Sequence, residues 1–347
     1  MSIIEKTEKL EKSPMFQLSL ASKELFHTNF LYWLKMAEPV IFKNVMKSMG
    51  IEYNDPVTVK REWEHFDLAI VKTNDNKEEI VAIIENKVKS LPRLDQLEEY
   101  NNKLNKFNNS SACKKILLSF SKPDFDTEKH GWKYVDYNDV AKIFKQNYNN
   151  GSCQYHKALI EDYYNMVMGL CDLKNKWIGE NFLSKNYNTI LIGNDDKNAR
   201  NLRINDIRHK LIYSKMLEEL RNRMGNLVFN NLITTGTSFS NSTGIVEVHI
   251  KMNMIDYKEF GIQVQGLQYR RFVVKKNIDD SVCKTEILKS FPAECLDVDT
   301  FKHDGKKEIG SYGDDFRYLY HKISNKSTID DVINQMITDM KKVINVK

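Results

Sequence analysis

The first clear pattern in the chain is a helical one. Between residues 22 and 37, Leu25, Phe26, Phe30, Trp33, Leu34 and Ala37 fall on one face, with Asn29 in the same stripe. Pro39 then stops or kinks that helix. A shorter helix is expected over 40–49, with Gly50 as its C-terminal signal. Residues 57–72 read as an extended strand or strand pair, and Thr73-Asn74-Asp75-Asn76 as a polar turn. The run Ile80-Val81-Ala82-Ile83-Ile84 is short, continuous and largely β-branched, the pattern of a strand buried on both faces. Pro92 is placed to open a helix whose inward stripe is Leu94, Leu97, Tyr100, Leu104 and Phe107. A second buried strand is expected at 116–120, and strand–helix–strand order implies a right-handed crossover and a locally parallel pair. A strand at 132–135 and a helix at 138–146 complete an α/β first half with a mixed sheet.

The second half changes character. A helix is expected over 155–170, with Leu159, Tyr163, Met166, Val167 and Leu170 on one face. Residues 171–200 are rich in Asn, Lys and Asp and read as an irregular connector. Asn205 can cap a long helix running to Met224, with Gly225 just past its end. Alternating segments across 227–275, such as Gly244-Ile245-Val246-Glu247-Val248-His249-Ile250, predict antiparallel strands. Ser327 or Thr328 starts a last helix with acids three residues on, as in a capping box. Ile329, Val332, Ile333, Met336, Ile337, Met340 and Ile344 form its apolar face, and Lys341 and Lys342 suit its C-terminal dipole. The expected organisation is a core over 1–150, a helix and connector over 151–200, and a C-terminal α+β accessory region over 201–347. There is no internal repeat.

Composition narrows the classes. Hydrophobic residues at 41% and charged residues at 29% fit a folded, soluble chain rather than a disordered one. The net charge of +5 permits a nucleic-acid partner without demanding one. The five cysteines are odd in number, and no two stand at Cys-x-x-Cys spacing, so reduced thiols are expected. Residues 1–13 lack the apolar centre of a signal peptide, and no stretch approaches the roughly 20 apolar residues of a membrane helix. A cytoplasmic location, with no membrane partner, is the expectation. No phosphate-binding glycine loop, dinucleotide fingerprint, zincin motif or nucleophile elbow occurs.

One constellation carries chemistry. The apolar strand runs directly into Glu85-Asn86-Lys87. Side chains alternate along a strand, so Glu85 and Lys87 share a face and Asn86 points away. Asp67 stands in the preceding extended segment, and a hairpin at 74–76 brings it near Glu85. Two carboxylates at one site repel unless a cation neutralises them. Oxygen ligands suit Mg²⁺, with Mn²⁺ able to substitute, and a metal so placed assists phosphodiester hydrolysis. Lys87 could orient a water, hold a phosphate or take up a proton. A surface hairpin bearing a salt bridge would look similar in isolation. The buried strand before the motif, the Asp upstream and the helix after it favour the catalytic reading.

With His65-Phe66-Asp67 and Ile83-Ile84-Glu85-Asn86-Lys87, the chain resembles the PD-(D/E)XK nuclease superfamily. The resemblance extends to the Glu24-Leu25-Phe26-His27-Thr28-Asn29-Phe30-Leu31 helix, to Val88-Lys89-Ser90, and to Asp95-Gln96-Leu97-Glu98-Glu99-Tyr100. It covers roughly residues 16–145 well, and Phe66 stands where a proline is usual. It implies a restriction-endonuclease-like core, a central mixed sheet flanked by helices, and a metal-dependent nuclease acting on DNA ahead of RNA. A role against phage or foreign DNA would suit such a branch. The rival reading is a catalytically degenerate fold that binds nucleic acid or a partner.

The resemblance also implies further site residues. Glu24 corresponds to a first-helix acid that joins Asp67 and Glu85 at the metal. Gln96 could hold a phosphate or a site carboxylate. Lys89, Arg93, His27 and Tyr100 are candidates for nucleic-acid contact. Glu24 and His27 are one turn apart, as are Gln96 and Tyr100. In the second half, Tyr269-Arg270-Arg271-Phe272 mixes cations and aromatics on an expected strand. It could stack on bases or simply be half buried. The accessory region could serve substrate choice, sensing or a homodimer.

Overall fold

The computed structural model describes residues 3–19, 23–54, 56–74, 77–88, 90–107, 112–225, 233–240, 243–251, 257–275, 310–312 and 315–345. They divide into two compact units: residues 1–176 with 202–211, and residues 177–201 with 212–347.

The first unit begins with helices α1 (Ile3–Lys12), α2 (Pro14–Ser19), α3 (Lys23–Ala37) and α4 (Pro39–Ser48). Pro39 opens α4 rather than merely ending α3, because the first helical position needs no N–H donor. Strands β1 (Thr58–Trp63), β2 (Phe66–Asn74) and β3 (Lys77–Lys87) follow as an antiparallel meander. The extended segment expected over 57–72 is therefore a strand pair. Its two-residue turn, Glu64-His65, has φ of 53° and 70°, the left-handed geometry that tight hairpins demand. Helix α5 (Leu94–Leu104) then crosses to β4 (Lys114–Ser119), which pairs parallel with β3. Pro92 is buried two residues before α5, and Arg93 is the N-cap. Strand β5 (Lys133–Asp136) pairs parallel with β4 and leads into α6 (Tyr137–Asn147), capped by the Asp136 carboxylate on the Asn138 N–H.

The sheet order β1-β2-β3-β4-β5 puts β3 in the middle, with a different partner geometry on each side. One face is covered by α5. Leu97, Tyr100 and Leu104 pack there on Phe66, Ala69, Val71, Ile80, Ile83 and Leu117. The other face meets α3, whose Phe30 stacks on Tyr163 at 3.6 Å and packs edge-on against Phe144. Tyr163 lies on helix α7 (Gln154–Ile178).

The stretch expected to be an irregular connector is largely helical. Helix α7 continues to Ile178, and α8 (Tyr187–Ile192) and α9 (Asn194–Asn201) follow. Its apolar residues Leu173, Trp177, Phe182, Tyr187, Ile190 and Leu191 are buried, although they are scattered among Asn, Lys and Asp. Tertiary burial of those few side chains outweighs the weak helical preference of their neighbours.

Helix α10 (Asn205–Met224) ends at Gly225, whose φ of 49° provides the left-handed stop. The second unit is then a six-stranded antiparallel sheet in the order β10-β11-β9-β8-β7-β6. Its strands are β6 (Thr234–Ser240), β7 (Thr243–Lys251), β8 (Tyr257–Gln265), β9 (Gln268–Lys275), β10 (Gly310–Tyr312) and β11 (Phe316–Lys322). Val246, Val248, Ile250, Phe260, Ile262 and Val264 pack with the apolar stripe of the last helix, α11 (Ile329–Asn345). The expected capping box is present: Asp331 accepts the Thr328 N–H, and Thr328 Oγ1 accepts the Asp331 N–H. Beneath this sheet Arg271 and Asp339 form a buried ion pair at 2.9 Å, and Tyr269 donates to the same carboxylate. Among the described residues no helix is long and apolar enough to cross a membrane.

Candidate active site

The site lies where β2 and β3 continue past the last pair they make with each other, while β3 stays paired with β4. Leu68 faces Ile84 across the ladder, so Asp67 and Glu85 are the next positions outward. The Asn86 N–H donates to Asp67 Oδ2 at 2.7 Å, which fixes the aspartate beside the strand end. Glu85 is 2% exposed. Its Oε1 lies 2.7 Å from the Lys87 ammonium, and Gln96 Nε2 donates to the same oxygen at 2.9 Å. Gln96 Nε2 also donates to the Tyr100 hydroxyl at 2.8 Å, as positions four apart on α5 allow.

The electrostatics follow from burial. Asp67 is pushed up to about 7, first by desolvation and then by the charge of Glu85, against the pull of the Asn86 N–H and Lys87. Glu85 is also raised by burial, with Lys87 opposing. Desolvation and the nearby Glu85 charge keep the Tyr100 hydroxyl protonated. Glu85 Oε2 is buried and has no hydrogen-bond partner. An orphaned carboxylate oxygen beside a second acid, both held against ionisation, suits a hard cation. Among the described residues no three His, Cys, Asp or Glu side chains converge as a ready ligand set. Mg²⁺ tolerates that, since it takes one or two carboxylates and keeps several waters.

Residues 15–165 match the family model described as the PD-(D/E)XK nuclease superfamily. This region of the chain, a little under half of its length, is similar to that superfamily. No curated protein and no solved structure matches the chain. The superfamily generally hydrolyses phosphodiester bonds, usually with divalent metals. The mixed five-stranded sheet and its flanking helices fit an α/β fold of that kind.

Within the matched region, the structure brings Asp67, Glu85, Lys87, Gln96 and Tyr100 together. Glu24 lies close by on α3, and its charge adds to the raising of Asp67. Its Oε1 accepts from the Val88 and Ser90 N–H groups, at 3.3 and 2.8 Å, and from the Ser90 hydroxyl. It thus grips the backbone immediately after Lys87.

Two of the candidates for nucleic-acid contact are corrected. His27 is 1% exposed among Phe26, Phe120, Tyr137 and Tyr163, and its Nδ1 lies 2.8 Å from the Tyr163 hydroxyl. Burial lowers it to about 3, so it is a neutral core group that no nucleic acid can reach. Tyr100 is likewise a core ring, packed edge-on against Phe66, and only its hydroxyl takes part in the site. Arg93 is exposed and pairs with Asp95. Lys89 lies outside the described residues.

Sequence reasoning passed over Asn86. Its side chain is buried on the α3 face, where Nδ2 donates to the Glu24 carbonyl at 3.0 Å and Oδ1 accepts from the Tyr137 hydroxyl. A polar residue on the inner face of a central strand was the available signal, because such a group is costly to bury unless it is hydrogen-bonded.

Proposed function

We propose that the superfamily region is a Mg²⁺-dependent nuclease acting on DNA ahead of RNA, with Asp67, Glu85 and Lys87 as its catalytic residues. The observation that carries this reading is one buried strand end bearing two ionisation-resistant carboxyls, an orphaned carboxylate oxygen and an ammonium. Asp67 and Glu85 would hold the cation, with Glu24 reaching it through water. When bound, such a cation polarises a phosphoryl oxygen and acidifies a water. Gln96 keeps Glu85 oriented through Oε1, leaving Oε2 for the metal. Lys87 steadies the Glu85 charge and stands ready to meet the scissile phosphate or take up a proton. Arg93 and Lys89, just beyond the strand, are proposed backbone-phosphate contacts. The reading extends to a cytoplasmic protein that acts on foreign DNA, with the C-terminal unit as an accessory region.

The test is incubation of the purified chain with single- and double-stranded DNA and RNA, with Mg²⁺, Mn²⁺ or EDTA. Metal-dependent cleavage is expected. Glu85→Gln and Lys87→Ala should each abolish it in protein that is still folded at the assay temperature, as circular dichroism checks. Full activity in either variant overturns the assigned roles. Strand binding without cleavage under every condition would instead favour a degenerate nuclease fold.

A further inference from the structure

The outer face of the second unit's sheet is aromatic where such faces are normally polar. Strand β11 alternates Phe316, Tyr318 and Tyr320 on one side with Leu319 on the other, and Leu319 is its one buried residue. A half-solvated antiparallel strand ordinarily places its large apolar side chains inward and polar ones outward. Here three successive outward positions are rings, each partly exposed.

Cross-strand pairing widens the patch. Tyr312 on β10 stands opposite Phe316 and is 75% exposed. On β9, Phe272 stands opposite Tyr318, and Arg270 opposite Tyr320. Directly opposed residues share a face, so the six side chains lie on one side of three adjacent strands, with Phe272 buried at 2% exposure and the other five at least partly exposed. Phe272 lies flat over Gly261, where a Cβ would come within 2.5 Å of its ring, and stacks on Phe316 at 4.8 Å. The Arg270 guanidinium sits 4.3 Å from the centre of the Tyr318 ring. Lys322 continues the same side of β11 and is exposed.

The structure also sorts the mixed Tyr269-Arg270-Arg271-Phe272 segment. Tyr269 and Arg271 turn inward to Asp339, whereas Arg270 and Phe272 turn outward. The inward pair is core and Phe272 is buried against Gly261 and Phe316, which leaves Arg270 to be accounted for.

We propose that this face is a stacking platform for an unpaired nucleic-acid strand. Flat rings at successive outward positions match unstacked bases, which every ring can receive because every base has a π-face. The guanidinium and the nearby ammonium match the phosphates between them. Large aliphatic side chains, which an amphipathic peptide helix would need, are nearly absent from β9 and β11 on this side: Val274 is the one instance among their described residues. The choice of a nucleic-acid strand over a peptide rests partly on the nuclease reading. Binding is therefore measured in EDTA, where cleavage plays no part.

Fluorescein-labelled dT30, rU30 and a DNA duplex are titrated with the full chain at low salt. Binding of a single strand is expected, tighter than that of the duplex. Tyr318→Ala and Tyr320→Ala should each weaken it by roughly 5- to 150-fold, as loss of one base–ring stack does. Arg270→Gln should weaken it and flatten its salt dependence. Tyr312→Ala, at a position 75% exposed, should also weaken binding and guards against misfolding as the cause, and thermal melts accompany every variant. Unchanged strand affinity in folded Tyr318→Ala and Tyr320→Ala variants overturns the platform, as does failure of wild type to bind either strand. Self-association that Tyr320→Ala abolishes, with no strand binding, would assign the face to a second copy and also overturn it. Glu85→Gln should bind strands as wild type does. Loss of cleavage with binding intact therefore separates the two readings.

Discussion

Replacing Asp67 by Asn should stabilise the metal-free protein at alkaline pH. The carboxyl is lifted from the ordinary 3.8 to about 7 by burial and by Glu85. Ionising it in the folded state therefore costs about 4 kcal/mol more than in the unfolded chain. The folded state keeps its proton longer, so stability falls as pH rises from about 4 to about 7 and is lowest above that. The Asp67→Asn side chain has no charge to lose and still offers an oxygen to the Asn86 N–H. It also gives up attraction to Lys87, so a net gain of about 2 kcal/mol is the expectation. In a unit of this size that is roughly 4–8 °C in melting temperature. Melts in EDTA at pH 8 should show the variant above wild type, and the gap should shrink by more than half at pH 5. Saturating Mn²⁺ should then favour wild type, since a ligand at 100 times its Kd adds about 2.7 kcal/mol to the form that binds it. A variant no more stable than wild type at pH 8 in EDTA would refute the reasoning. So would an advantage that Mn²⁺ leaves untouched.

Other outcomes follow from the same geometry. Gln96→Ala should lower cleavage about 10- to 100-fold with little change in melting, because it releases Glu85 without emptying the core; this is read by initial rates at saturating Mg²⁺. The His27 imidazole should show no titration between pH 5 and 8 by NMR, being neutral throughout. Its depressed value means that its contribution to stability is lost as pH falls below about 6.5. Asp339→Ala should destabilise by about 3–5 kcal/mol in denaturant melts, because it strands the Arg271 guanidinium in the core. Gly244→Ala should cost about 1–3 kcal/mol, since its Cβ would fall 2.2 Å from the buried Tyr213 ring.

The strands were legible because their apolar runs are short and bounded by turn residues. Ile80 to Ile84 reads as buried, and burial is what it has. The Asp67–Glu85 juxtaposition could be inferred because a hairpin leaves few places for the chain to go. The helices after Leu170 were hidden, because six buried apolar residues are diluted there by polar ones that belong to the outer faces. His27 misled for a related reason. A histidine one turn from an acid looks like a site residue, but His27 packs against the buried Tyr137 and Tyr163 rings. The outward rings of β11 left a trace, Phe316-Arg317-Tyr318-Leu319-Tyr320. Only the register with β9 reveals which side is wet.

Asn86 gives β3 two masters. Its main chain steadies Asp67 on one side of the sheet, while its amide is held on the other by α3 and by the Tyr137 hydroxyl. Loosening the aromatic packing around Tyr137 thus reaches the acids without touching them. Damage deep in the fold should surface first as a weakened grip on the proposed cation, well before the protein comes apart.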